Sequence, residues 1–296
     1  MTRPNTDSPR GFVFAISAYF LWGFLPIYFT ALSHMGPVEV LMHRVLWSIP
    51  VAGLVLVYLR RTSDLAAALR SPRTLAMGVV TAGLISLNWG IYIYSIMSGQ
   101  ALEAALGYYI NPLFSVFLGA VFLGERLNGL KWIAILLALA AVVILTLDAG
   151  TVPLVAVGLT LSWGFYAYFK KSLPIGPNQG FLLEVILLAP PALVYFGVLI
   201  ASGSGHFATG GPLDTALLMG CGIVTAVPLM LYANGAKLLR LSTIGILQYI
   251  APTMIFLIAV FVFGEEFGRA RMIAFPLIWL ALAIYSVSLW RDTRTR

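Results

Sequence analysis

Residues 107–127 read G-Y-Y-I-N-P-L-F-S-V-F-L-G-A-V-F-L-G-E-R-L, and residues 247–267 read L-Q-Y-I-A-P-T-M-I-F-L-I-A-V-F-V-F-G-E-E-F. Without a gap, Tyr109, Ile110, Pro112, Gly124 and Glu125 recur as Tyr249, Ile250, Pro252, Gly264 and Glu265, an offset of 140 residues in a chain of 296. Further out, Gly36-Pro37 recurs as Gly176-Pro177, Pro50 as Pro190 and Tyr92 as Tyr232, all in the same register. Lys131, Ile133 and Ala134 return as Arg271, Ile273 and Ala274, and Trp22-Gly23-Phe24 returns one residue later as Trp163-Gly164-Phe165. Any one pair is the kind of match that shared apolar composition produces. Five pairs of segments in one register are not, and they divide the chain into halves at 1–148 and 149–296.

The solvent of these segments follows from composition. Hydrophobic residues make up 60% of the chain and charged residues 10%, against roughly 25% charged in a soluble domain. A bilayer crossing needs about 20 apolar residues. Ten runs are long enough, near 11–33, 37–59, 74–97, 101–123, 130–147, 152–169, 178–201, 213–236, 242–263 and 272–290. The first contains Trp22 and Pro26, outlasts a signal-peptide core, and is read as a retained span. The runs do not alternate in polarity as barrel strands do, and backbone amides in lipid must be paired within their own segment. The expected fold is therefore an all-α polytopic membrane protein of ten transmembrane helices, with short connections.

Five crossings per half is an odd number, so the second half starts on the opposite side of the membrane. The halves then have inverted orientation around a central cavity, which is the architecture of secondary transporters. The net charge of +7 is distributed to match. With both termini in the cytoplasm, 15 of the 18 Lys and Arg residues fall on that side: Arg3, Arg10, Arg60, Arg61, Arg70, Arg73, Arg126, Lys131, Lys170, Lys171, Lys237, Arg240, Arg291, Arg294 and Arg296. That is the positive-inside bias, and it makes nucleic acid an unneeded partner. Lipid is the expected surrounding, and the sequence sets no oligomeric state. The single cysteine, Cys221, lies in an apolar run and has no internal disulfide partner.

Ten helices in two halves, with G-E-R-L after helix 4 and G-E-E after helix 9, resemble the drug/metabolite transporter superfamily in its EamA-type branch. A-Y-F-L-W-G-F-L-P-I-Y-F, H-R-V-L-W-S, L-N-W-G-I-Y-I-Y and L-G-Y-Y-I-N-P-L are similar to its RarD-type members. The resemblance covers nearly the whole chain. It implies a basket-shaped bundle and export of small metabolites, such as amino acids or drugs, from the bacterial cytoplasm across the inner membrane. Two departures from symmetry stand out: Asn111 is matched by Ala251, and Arg44 by Glu184.

Ionisable groups inside spans cost several kcal/mol or so unless they face a cavity or a partner. Arg44 and Glu184 lie equally deep from opposite faces, seven residues past Pro37 and Pro177. They are candidates for a substrate headgroup site, for proton coupling at Glu184, or for a structural ion pair with each other. Glu39 and His43 share one face of helix 2. They are candidates for a proton relay, although an interfacial polar cluster explains them as well. Trp22, Tyr28, Tyr92, Tyr94, Tyr108, Tyr109, Trp163, Tyr232 and Tyr249 lie within spans. Any one ring is most simply packing between helices, but the set suggests an aromatic-lined cavity. Asn88, Asn111, Asn234 and Gln248 would supply its polar groups. The candidate binding set is Trp22, Arg44, Asn88, Tyr92, Tyr94, Tyr108, Asn111, Trp163, Glu184, Tyr232, Asn234 and Gln248. Pro26, Pro112 and Pro252 are candidate hinges, because each removes a helix hydrogen bond. Ala134, Ala138, Ala141, Ala274, Ala281 and Ala283 offer small faces for a scaffold.

An enzyme is the rival class. The chain has no G-x-S-x-G elbow, no metal spacing and no Walker A loop, so neither a metal, a cofactor nor direct ATP drive is expected. An intramembrane enzyme would have to use Glu39, His43 and Glu184. A receptor or scaffold would not require an inverted repeat.

Overall fold

Helix starts in this chain are written largely with proline. Its missing N–H and fixed φ suit the first turn, and it stands there in α1 (Pro9–Gly23), α2 (Leu25–Thr30), α3 (Pro37–Tyr58), α5 (Pro72–Met97), α9 (Pro177–Ser202) and α10 (Pro212–Leu238). At some starts the side chain just before the helix caps it. Ser71 accepts from the Thr74 amide at the start of α5, and Asn128 accepts from Lys131 N at 2.9 Å to open α7 (Gly129–Ala149). Gly150 and Gly203, both left-handed, close α7 and α9. The remaining segments are α4 (Thr62–Leu69), α6 (Ala101–Leu123), α8 (Leu154–Lys171), α11 (Leu241–Leu247), α12 (Ile250–Phe261) and α13 (Arg269–Arg294).

The chain is described from a computed structural model covering residues 7–60, 62–123, 127–171, 173–239 and 241–294. Gly124 and Glu125 of the repeated phrase, and Arg3, Arg61, Arg126, Arg240 and Arg296 of the positive side, lie outside the described residues. All described regular structure is helical. Eight stretches among the described residues are long and apolar enough to cross a membrane. The ten-run reading therefore needs qualifying at two places. Run 152–169 is α8, an 18-residue helix about 27 Å long. Run 242–263 is split at Gln248–Tyr249 into α11 and α12. One element was not expected: α4 lies in what reads as a polar connection, and it packs on α5 and α9.

The three candidate hinges behave differently. The chain breaks at Phe24, two residues before Pro26, and at Gln248–Tyr249, three residues before Pro252. It runs through Pro112 as one helix, as it does through Pro50, Pro190, Pro228 and Pro276. A proline removes one hydrogen bond, and neighbouring packing decides whether the helix then parts.

The heaviest packing joins early helices to late ones: α1 on α10, α3 on α10 and α9, α5 on α8 and α9, α6 on α8 and α12, and α7 on α13. At the last of these, Ala134, Ala138, Ala141, Ala274 and Ala281 are buried between the helices, whereas Ala283 is exposed. Two close approaches depend on glycine. A Cβ on Gly23 would lie 2.5 Å from Met254 Sδ, and one on Gly164 would lie 2.3 Å from Phe114 Cδ1. The outer surface carries exposed Leu54, Val57, Leu147, Val194 and Phe261, as a surface solvated by acyl chains would.

Candidate functional site

A cavity of about 130 Å³ lies between the early and late helices. α1 contributes Tyr19 and Trp22, α3 contributes Arg44, α5 contributes Asn88, Trp89 and Tyr92, and α6 contributes Tyr108 and Asn111. From the other half come Trp163 of α8, Thr225 and Tyr232 of α10, Gln248 at the break between α11 and α12, and Pro252 of α12. Nine of the twelve candidate binding residues thus meet in one place.

Tyr94, Asn234 and Glu184 do not, and each has a geometric reason. A helix turns about 100° per residue, so Tyr94 points roughly opposite to Tyr92, and Asn234 roughly opposite to Tyr232. Tyr94 is 52% exposed, and Asn234 donates to Met230 O at 2.8 Å. Glu184 is fully buried elsewhere. Its carboxylate accepts from Lys170 Nζ at 2.6 Å and from the Tyr166 hydroxyl at 3.3 Å. The expected alternative of an Arg44–Glu184 ion pair is therefore not formed.

Arg44 is held in a different way. Its Nε donates to Thr225 Oγ1 at 2.8 Å, and the guanidinium carbon lies 4.4 Å from the Trp89 ring centroid and 5.5 Å from that of Phe29. Thr225 in turn donates to Cys221 O, so one hydroxyl links α3 to α10. Asn88 donates to Leu159 O and Ser162 Oγ, and accepts from Tyr108, tying α5 to α6 and α8. Cavity rings also pack on one another: Trp22 and Tyr19 each lie within 6 Å of Tyr232.

Glu39 and His43 hydrogen-bond to different partners. Glu39 accepts from the backbone N–H of His206 at 2.7 Å, and its other oxygen pairs with His206 Nδ1 at 2.9 Å. His43 accepts from Trp47 Nε1 at 3.3 Å and packs against Phe196 and Phe207. Glu39, His43 and Glu184 thus each hydrogen-bond to other residues rather than to one another. Tyr28 donates to Leu217 O, Tyr109 bonds Thr253 Oγ1 at 2.8 Å, and neither these two nor Tyr249 lines the cavity. Of the candidate hinges only Pro252 does.

Sequence reasoning missed Tyr19, Trp89 and Thr225. The signal for Thr225 was present: 225, 229 and 232 follow helical spacing, so Thr225 and Leu229 share the face of Tyr232, and all three line the cavity.

The sequence model of the EamA-like transporter family matches residues 9–147. An "Uncharacterized transporter" of Vibrio cholerae is 41% identical over 97% of this chain and 95% of its own length. "Protein RarD" of Escherichia coli is 38% identical over 93% of each. "Chloramphenicol-sensitive protein RarD" of Pseudomonas aeruginosa is 33% identical over 94% of this chain and 93% of its own. One crystal structure has the same fold, at a TM-score of 0.60 and 22% identity, covering 95% of this chain and 98% of that one. Relatives named as transporters, near-complete coverage and a polytopic apolar bundle lead to one statement: the chain is an integral membrane transporter and belongs to the EamA-like family, close to its RarD proteins.

Proposed function

We propose that the protein is a secondary transporter that exports small amphipathic metabolites by alternating access, its two gates supplied by inverted repeats at residues 1–148 and 149–296. Both termini are cytoplasmic on this reading. The observation that carries it is the make-up of the cavity wall. Trp22 and Trp163 are repeat mates, as are Tyr92 and Tyr232, and all four line the same cavity. A site shared by equivalent residues of two halves can close on either side by an exchange of roles.

The packing scheme supports the same reading. Advancing each helix by one half turns α1 on α10 into α8 on α5, α3 on α10 into α9 on α5, and α6 on α8 into α12 on α1; every one of these pairs is in contact. The close approaches follow the rule too, because Met254 is 140 residues from Phe114 and Gly23 is 141 from Gly164. The family match, residues 9–147, ends at the proposed division. Amino acids and drug-like aromatic compounds fit an aromatic wall with few polar groups.

The test is flux. Purified protein in proteoliposomes should exchange radiolabelled aromatic amino acids or chloramphenicol across the bilayer. Trp22→Ala and Trp163→Ala should each lower the rate by about tenfold or more, as loss of a large ring contact implies, while the proteins still elute as folded monodisperse particles. Normal flux in both variants would remove the cavity from the transport path.

A further inference from the structure

Arg44 is 4% exposed, and its guanidinium is fixed by Thr225, Trp89 and Phe29, yet its Nη1 is buried without a hydrogen-bond partner. Two other buried polar atoms of the same cavity wall are also without partners: the Tyr92 hydroxyl and Asn111 Oδ1. Asn88, Tyr108 and Thr225 are engaged with protein groups. Among the described residues no carboxylate lines the cavity. Glu184, the repeat mate of Arg44, is held by Lys170 instead.

A cation buried with no counter-charge and an unmade hydrogen bond is costly. Planar guanidinium edges are matched by carboxylates, through short charge-assisted hydrogen bonds. The wall offers one positive charge, so it balances one negative charge. A phosphate dianion would keep a second charge unpaired, and a free ammonium would find no carboxylate opposite it. Asn111 Oδ1 is an acceptor only, so it suits a neutral O–H or N–H on the ligand. Trp22, Trp163 and Tyr232 are the faces left for an apolar body.

We propose that the cavity takes a small aromatic monocarboxylate bearing a neutral hydrogen-bond donor, with the carboxylate on Arg44 and the donor facing Asn111. This rests on the transporter reading and narrows its substrates.

Four probes on one skeleton separate the charge classes: phenyllactate (anion), phenyllactamide (neutral), phenylalanine (zwitterion) and phenylalaninamide (cation). Binding is read from intrinsic tryptophan fluorescence in nanodiscs of phosphatidylcholine, which offer no anionic lipid as competitor. Phenyllactate should bind about tenfold or more tighter than phenyllactamide, and Arg44→Gln should abolish that preference by weakening phenyllactate far more than phenyllactamide. Equal or tighter binding of phenyllactamide, phenylalanine or phenylalaninamide, or no saturable response to phenyllactate, overturns the assignment. Should Arg44→Gln fail to fold, Trp89→Phe tests the location. The phenyllactate signal should shrink, because Trp89 stacks on the guanidinium, and an unchanged signal places binding elsewhere and overturns the proposal. Flux in proteoliposomes keeps the two readings apart. Phenyllactate that binds but is not carried sinks the transport reading alone, whereas preferred carriage of the cation or amide sinks the anion assignment alone.

Discussion

Lys170 and Glu184 form a contact whose removal has a calculable sign. The carboxylate is completely enclosed and Lys170 is mostly so, with side-chain exposures of 0% and 20%. Deleting one member of such a pair leaves an unbalanced charge and typically costs about 3–5 kcal/mol. Lys170→Ala and Glu184→Ala should each lower the melting temperature in detergent, and the double variant should lie nearer the wild type than either single. Additive losses in the double would show that the two do not act as a pair. Glu184 also remains the proposed coupling residue, because Tyr166 joins it to the cavity ring Trp163. Glu184→Gln should then lose any dependence of flux on an imposed proton gradient. The sequence displayed both charges but not their partnership. Arg44 and Glu184 look like partners because they are repeat mates. Lys170 ends another helix and reads as a flanking cation.

At the scale of elements, the W-G-F motifs mark crossings. Gly23 and Gly164 let α1 and α8 approach the residues two places after Pro252 and Pro112. A methyl group at 164 has no room beside the Phe114 ring, and overpacking of this sort costs about 1–3 kcal/mol. Gly164→Ala should reduce thermal stability by that amount, and Phe114→Leu introduced with it should restore most of the loss. Failure of the rescue would mean that the ring is not the obstacle. Eight of the ten runs were legible as long apolar helices because lipid imposes a length and a polarity on each run, whereas run 152–169 is a shorter helix and run 242–263 is split. Helix continuity was not, since Pro26 and Pro252 lie just past breaks whereas Pro112 does not. The difference resides in side-chain packing that one segment does not encode. Tyr94 and Asn234 were misjudged for a simpler reason. Each lies two residues from a true lining group, and a helix cannot present both to one side.

For the whole molecule, the proposed inversion makes a prediction about sidedness. With Cys221 replaced by Ala, Ala66→Cys and Leu127→Cys should react with a membrane-impermeant maleimide only from the cytoplasmic face, and Ser204→Cys only from outside. Labelling of all three from one face would end the five-plus-five arrangement. The central cavity was legible in outline, since nine candidates from six helices and the break between α11 and α12 converge on it. Its electrical asymmetry was not, because Glu184 turns away from its mate's site towards Lys170. That asymmetry reaches beyond binding. An empty cavity holds the single charge of Arg44, and a cavity loaded with a monoanion holds none. Moving one full charge through the membrane field is worth about 2.3 kcal/mol per 100 mV. On the alternating-access proposal, a resting potential, negative inside, would draw the empty carrier back to face the cytoplasm and leave the loaded one indifferent. In the absence of a coupled proton, as expected for Glu184→Gln, voltage would turn the proposed cycle outward, with one negative charge leaving the cell on each turn.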